Sequence, residues 1–154
     1  MKRQDCVSCG ASNSMQHFES RDFEVDFKAL KQTVSGLCGW ECTACAEIEL
    51  APESAQRYSD ASDQLVLEHR HQVATEMRRI RRKLHFTQRA AVELLSGGGH
   101  NAFSRYERAE VEPPKPLFVL MHLLDRYPEL IEDIKDINAD SSPAHGVADA
   151  RVSI

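Results

Sequence analysis

The sequence predicts an α+β protein in which a small β-rich zinc-binding domain precedes an all-α domain of five helices arranged around a helix-turn-helix. Three observations point to it. Two C-x-x-C pairs, Cys6-Val7-Ser8-Cys9 and Cys42-Thr43-Ala44-Cys45, stand 32 residues apart. Between them, Phe23-Glu24-Val25-Asp26-Phe27 alternates apolar and acidic with the period of a half-buried strand. Beyond His71 the apolar residues recur instead at steps of three and four, the period of an amphipathic helix.

In a reducing compartment, paired thiols at this spacing hold a metal more readily than they form disulfides. Each pair can place two thiolates on one ion, Gly10 helps the backbone turn back after the first pair, and four thiolates complete a tetrahedral zinc site. A sphere closed in this way leaves no position for an activated water, so the metal's task is folding rather than hydrolysis. A thioredoxin-like redox pair is the competing possibility, but one C-x-x-C suffices for that, and neither pair opens a helix after a buried strand. A segment of about 70 residues buries little core, a deficit that a bound metal offsets. Cys38 is left over: four residues before Cys42, it could substitute as a ligand, but it better suits a spare buried thiol. Ser35-Gly36 and Gly39 supply turn points, and Ile48-Glu49-Leu50 returns as a short strand. The resulting ribbon has an acidic exposed face that either meets a basic partner or merely solubilises the chain.

After Pro52, residues Glu53 to Glu68 have the composition of a polar helix or linker, with the domain boundary between 53 and 70. Glu68-His69-Arg70-His71 is not H-E-x-x-H and has no third partner nearby, which leaves an exposed helix surface. Val73, Met77, Ile80 and Leu84 give the first helix its apolar stripe, while Arg78, Arg79, Arg81, Arg82 and Lys83 crowd the rest of it. Thr87 stands at the N-cap of a second helix, Gln88 to Leu95, with Ala91, Leu94 and Leu95 inward. Ser96 and Gly97-Gly98-Gly99 break that helix. Asn101 to Ala109 form the third, with Ala102, Phe103 and Tyr106 on one side, and Glu112-Pro113-Pro114 stops it. Leu117, Leu120, Leu124 and Tyr127 mark a fourth helix, and Leu130, Ile134 and Ile137 a fifth. Residues 138–154 have the composition of a disordered tail, so the expected divisions are 1–69, 70–137 and that tail.

The net charge of -5 conceals an asymmetry. Over residues 1–69, 6 Lys and Arg face 12 Asp and Glu; over 70–108, 9 face 3; over 109–154, 4 face 9. A polyanion senses the field within a Debye length of roughly 8–10 Å, so the middle segment is the candidate anion-binding surface whatever the average charge. The N-terminus lacks the apolar core of a signal peptide, and no apolar run approaches the roughly 18 residues of a membrane span. The expected location is cytoplasmic, with no membrane partner. No constellation of His, carboxylate and nucleophile emerges, so the chain is not expected to be an enzyme.

Two short helices joined by a glycine-bearing turn describe a helix-turn-helix, with duplex DNA the expected partner. On the second of them Asn101, Ser104, Arg105 and Arg108 fall at i, i+3, i+4 and i+7 and share the outward face. Asn can bond an adenine edge bidentately, Arg a guanine edge, and Ser either a base or a phosphate. Backbone amides near Thr87 and Gln88 can bind a phosphate, and Arg79 and Arg82 can contact the DNA backbone of any sequence. The glycines let the chain approach a duplex closely and take positive φ where needed. A nucleotide-phosphate cradle at Gly97-Gly98-Gly99 is disfavoured, because no Lys-Ser or Lys-Thr follows and no strand precedes.

Phe86-Thr87-Gln88, the run Gly97-Gly98-Gly99-His100-Asn101-Ala102-Phe103-Ser104-Arg105-Tyr106-Glu107, Leu123-Leu124-Asp125, Tyr127-Pro128-Glu129-Leu130 and both C-x-x-C pairs closely resemble the MqsA family of bacterial antitoxins. The likeness spans about residues 4 to 137. In that family an N-terminal zinc domain binds and neutralises a small ribonuclease toxin. A C-terminal domain similar to the lambda-repressor helix-turn-helix forms the homodimer and represses the operon at a palindrome. The resemblance implies one zinc on Cys6, Cys9, Cys42 and Cys45, base contacts from Asn101 and Arg105, and phosphate or flanking contacts from the basic helix and Arg108. It also implies a two-fold dimer, for which the stripe of Leu117, Leu120 and Leu124 offers a face. Cys38 is extra to the four-ligand pattern, the chain after Asn138 is longer than the family needs, and His100 stands at the variable position of the run. The alternative is a solitary zinc-ribbon and helix-turn-helix regulator with no toxin.

Overall fold

In the computed structural model, residues 4–96 and 98–140 are described. Strands β1 (Met15–Phe27) and β2 (Leu30–Cys42) pair antiparallel, and β3 (Ile48–Leu50) adds to the free edge of β2. Phe23, Val25 and Phe27 turn toward the core as their alternation predicts, leaving Glu24 and Asp26 exposed. The hairpin reverses at Lys28-Ala29, where Lys28 takes a φ of 56°.

The turn expected at Ser35-Gly36 is absent, because both residues lie inside β2. Arg21 pairs with Leu37 and Phe23 with Val34, so two residues of β2 face one of β1 in a bulge. Gly36 supplies the positive φ there, 67°, and its amide donates to Asp22 Oδ1 at 3.0 Å. Gly39 is also within the strand. A Cβ at that position would stand 2.3 Å from the Glu49 carbonyl oxygen, so only glycine lets β3 close on β2.

Of the two possibilities for residues 53–68, polar helix or linker, the structure has the helix. α1 (Pro52–Lys83) runs unbroken for 32 residues. Ser54, Tyr58, Ala61 and Leu65 recur at steps of four, three and four, the same spacing that Val73, Met77, Ile80 and Leu84 repeat further on. A serine and an alanine in the first stripe conceal it from hydropathy, and Pro52 sits in the first turn, where a missing N–H is harmless.

The chain divides into two compact units after Arg70. In the first, Val25, Val34 and Leu37 of the sheet pack on Ala61 and Leu65 of α1, and a separate small cluster joins Cys6, Met15 and Cys42, with Trp40 beside it. In the second, Val73, Met77 and Ile80 of α1, and Leu84 just after it, form a core with α2 (Gln88–Ala91), α3 (Ala102–Glu107) and α4 (Lys115–Arg126). Thr87 caps α2 as expected, its hydroxyl accepting the Ala90 amide at 3.1 Å, and Val92–Ser96 prolong that helix by one wider π-helical turn. α5 (Leu130–Asp140) packs Leu130, Ile131 and Ile134 on the same core. It continues through Asn138, whose side-chain amide donates to the Leu94 carbonyl at 3.0 Å, so the first three residues of the expected tail are helical. The rest of that expectation falls on residues 141–154, outside the described residues. No helix among the described residues is long and apolar enough to cross a membrane.

Candidate metal centre and nucleic-acid interface

Each C-x-x-C pair occupies a turn of the same construction. The amide four residues on donates back to the first cysteine's carbonyl, Gly10 to Cys6 and Ala46 to Cys42, each at 2.9 Å. The first cysteine's own amide donates to the carbonyl five residues on, at 3.0 Å for Ala11 and 2.8 Å for Glu47. The closing residue is left-handed in both, with φ of 72° at Gly10 and 60° at Ala46. Pairing of Met15 with Cys42, and the Thr43 amide donating to the Ser14 carbonyl at 2.9 Å, bring the two turns together.

All four Sγ atoms lie within 4.8 Å of one another, with Cys6–Cys45 and Cys9–Cys42 at 3.7 Å. Thiolates held about 2.3 Å from a tetrahedral ion stand roughly 3.8 Å apart, so this donor set fits a metal of zinc's size and preference. Cys6 and Cys42 are buried, while Cys9 and Cys45 face out. The Ser14 hydroxyl, 3.3 Å from Cys42 Sγ, and the Cys45 and Ala44 amides bring that thiol down to about 6, whereas, against the Glu47 amide, the neighbouring thiols and burial push Cys45 up to about 12. Cys38 stands outside the cluster. It is half-buried against Ser54, whose hydroxyl oxygen accepts the Cys38 amide at 2.9 Å. Two carboxylates of the sheet are paired, Glu24 with Lys31 and Glu41 with Arg21, both at 2.7 Å.

In the second unit α3 turns Phe103 fully into the core and leaves Asn101, Arg105 and Arg108 exposed, with Ser104 half-buried. Asn101 occupies the N-cap position, yet its side chain makes no capping hydrogen bond. An Asn there commonly commits its side-chain oxygen to the helix amides; this one does not. Arg105 and Arg108 meet Glu110 at 3.6 and 2.8 Å with about half of each side chain exposed. Such surface pairs contribute about 0–1 kcal/mol and yield readily to a better anion. Gly98, Gly99, Asn101, Arg105 and Tyr106 line one shallow concavity. Positive φ, which the sequence allowed for, occurs at neither Gly98 nor Gly99, and a Cβ on Gly99 would meet nothing within 4 Å.

The remaining expected contact residues are distributed unevenly. Arg82 and Thr87 are exposed. Arg79 donates to Glu76 at 2.9 Å and to Asp125 at 2.6 Å, and Lys83 donates to Asp125 at 2.7 Å. Those two cations hold the Asp125 carboxyl well below the usual carboxylate range, and Glu76 and Asp125 raise the Arg79 guanidinium in return. Gln88 is half-buried, its Nε2 donating to Glu107 Oε2 at 2.9 Å.

In the sequence Glu107 stands only as the end of the run that begins at Gly97, with no role assigned to it. Its side chain is 2% exposed and accepts two hydrogen bonds from Arg81, one of them 3.0 Å long. Burial pushes its carboxyl up, but hydrogen bonds from Arg81 and Gln88 and the charges of Arg81 and Arg78 outweigh burial and hold it below the ordinary range. The available signal was its spacing: four residues after Phe103, it falls on the inner face of α3.

The stripe offered for dimerisation is corrected by its burial. Leu117 and Leu124 lie inside the chain's own core and Leu120 packs against it, because the apolar side of α4 is needed to cover α1 and α3. The exposed apolar row is instead Val119, Leu123 and Tyr127, at steps of four.

A sheet unit with a four-cysteine metal-binding cluster, followed by a helix-turn-helix bundle, defines the class. The family model described as the antitoxin component of bacterial toxin-antitoxin systems, MqsA, matches residues 4–135. The chain is 34% identical over 121 residues to Antitoxin MqsA of Escherichia coli (strain K12), which covers 75% of this chain and 88% of that one. The chain belongs to the MqsA family of antitoxins.

Proposed function

We propose that this antitoxin binds and neutralises a ribonuclease toxin through its N-terminal unit, residues 1–69, and represses its own operon by inserting α3 into the major groove of a palindromic operator. The metal is zinc, one per chain, on Cys6, Cys9, Cys42 and Cys45. The observation that supports the DNA role most directly is Asn101, an exposed side chain at a helix N-cap that does not cap its helix. Its amide is therefore available to an outside partner, one turn from Arg105 on the same face, and that pair of side chains suits an adenine and a guanine edge. Ser104, Arg108, Thr87, Gln88, Arg79 and Arg82 supply flanking and phosphate contacts, with Arg82 engaging phosphate directly and Arg79 exchanging Glu76 or Asp125 for it. Gly98 and Gly99 keep the surface open where the duplex approaches. Two chains meet through Val119, Leu123 and Tyr127 of α4 and the residue after it, so that two copies of α3 face successive major grooves. The toxin role rests on family membership, and the exposed carboxylates of the sheet suit a basic partner.

The test is a titration of the metal-loaded full chain against a duplex from upstream of its own coding sequence and against an unrelated duplex, at one salt concentration. A preference of at least about a thousandfold for the upstream duplex is expected of an operator. Equal affinity for both would overturn the repressor role.

A further inference from the structure

We infer that Glu107 is a positioning residue for the DNA-reading face, setting the roll of α3 through a buried carboxylate that ties that helix to Arg81 of α1 and Gln88 of α2. The inference rests on the proposed operator binding and assigns the source of its base selectivity.

α3 spans only six residues, too few to be stable or rigid alone, so its orientation comes from what anchors it. Two buried side chains do so, with Ala102 and Tyr106 packed partly buried on the same core. Phe103 is fully buried at one end, and Glu107 at the other. The aromatic ring is held by apolar contact, which resists withdrawal but tolerates small rotations. The carboxylate is held directionally: Arg81 Nε donates to Oε1, Arg81 Nη2 to Oε2 at 3.0 Å, and Gln88 Nε2 to Oε2 at 2.9 Å. The same guanidinium donates through Nη1 to the Phe86 carbonyl at 2.6 Å, and Arg78 Nη2 donates to the Glu107 carbonyl at 2.8 Å. The end of α1, the turn before α2, the first residue of α2 and the last residue of α3 therefore converge on one ion pair.

The consequence for the outer face follows from helix geometry. Residues two apart lie about 200° around the axis, so Arg105 points away from both Phe103 and Glu107. A roll of roughly 20° would carry a side-chain tip, at a radius of about 5–6 Å, by about 2 Å. Hydrogen bonds to a base edge tolerate about 0.5 Å. Contacts to phosphates by flexible cations are far less exacting. Loss of the Glu107 anchor should thus erase discrimination between sequences while sparing general affinity for DNA.

The experiment compares the full-length, metal-loaded wild type with Glu107→Gln on the upstream duplex and on an unrelated duplex of equal length. The expected result is a fall of about tenfold or more in the ratio of the two affinities, with affinity for the unrelated duplex changed by less than about twofold. A merely structural role lowers the folded fraction and reduces both affinities by the same factor, leaving the ratio unchanged. That outcome would overturn the inference. If Glu107→Gln does not fold, Arg81→Lys carries the same comparison, since it keeps the charge but replaces the planar fork with a point donor. Hydrogen exchange without DNA gives a second reading: amides of α3 should exchange faster in the variant while those of α4 hold, and unchanged protection of α3 counts against the anchor. A wild type that binds both duplexes equally removes operator recognition itself, whereas a wild-type preference that survives in both variants removes only the role of Glu107.

Discussion

Stripping the metal should disorder one end of the first unit and spare the rest. The single tryptophan, Trp40, packs beside Cys6, Met15 and Cys42 and stands edge-on to His17 at 5.3 Å, so its emission reports on that end. Burial of those three side chains stabilises it by about 2 kcal/mol each at most. A tetrathiolate zinc in a small domain is worth about 10–16 kcal/mol at neutral pH, so the metal dominates there. Further along the hairpin, Val25, Val34 and Leu37 pack on Ala61 and Leu65 with no cysteine among them. Titration with a chelator, with released zinc quantified, should therefore shift Trp40 emission to the red while the far-ultraviolet helical signal changes little. Readdition of one equivalent of zinc should restore the emission. Unchanged emission after complete metal release would refute the claim that the thiolates hold this end, and loss of the helical signal would refute its confinement to that end.

Other consequences are separable. Asn101→Ala and Arg105→Ala should each weaken operator binding by about 1–3 kcal/mol and relax preference at one base pair, whereas Arg82→Ala should weaken binding to all sequences alike and reduce the salt slope by about 1; competition titrations with single-base operator variants distinguish the two patterns. Gly99→Ala should leave the melting temperature unchanged, since its Cβ meets nothing within 4 Å and φ is not positive, yet lower DNA affinity if the duplex approaches there. Leu123→Glu should shift sedimentation toward a monomer without unfolding the chain, as Leu123 is 45% exposed; a dimer that persists would place the interface elsewhere. Glu107, held below its ordinary range, contributes stability that is complete above about pH 4.3 and is lost as pH falls through its lower folded value. The difference in melting temperature between wild type and Glu107→Gln should therefore shrink below about pH 4, and a difference constant down to about pH 3 would contradict the ion pair.

The four-cysteine cluster was legible because ligand chemistry is local: two C-x-x-C pairs announce two turns, and only their meeting required the sheet. The strand at Phe23 to Phe27 was legible for the same reason, its alternation being a one-dimensional trace of a one-sided core. Its partner was not, because Gly36 and Gly39 look like turns, and their actual tasks, a bulge opposite Asp22 and the close approach of β3, depend on what lies across the sheet. The first half of α1 was obscured by a stripe containing Ser54 and Ala61, residues that become core only because the sheet lies against them. On α4 the apolar row was visible, but periodicity does not say whether a row covers its own core or a partner. Leu117 and Leu124 proved to do the former, and the outward row begins at Val119. The role of Glu107 was not legible, because a carboxylate among arginines suggests a solvated pair until its depth is known.

The most direct test of the account is co-expression of the full-length chain with the product of the adjacent gene in its native operon, followed by purification through this chain and identification of what elutes with it. The expected result is a small basic protein in a stable complex, with ribonuclease activity that appears only when the two are separated. A metal-loaded chain that elutes alone, while its neighbour is expressed and soluble, would contradict it.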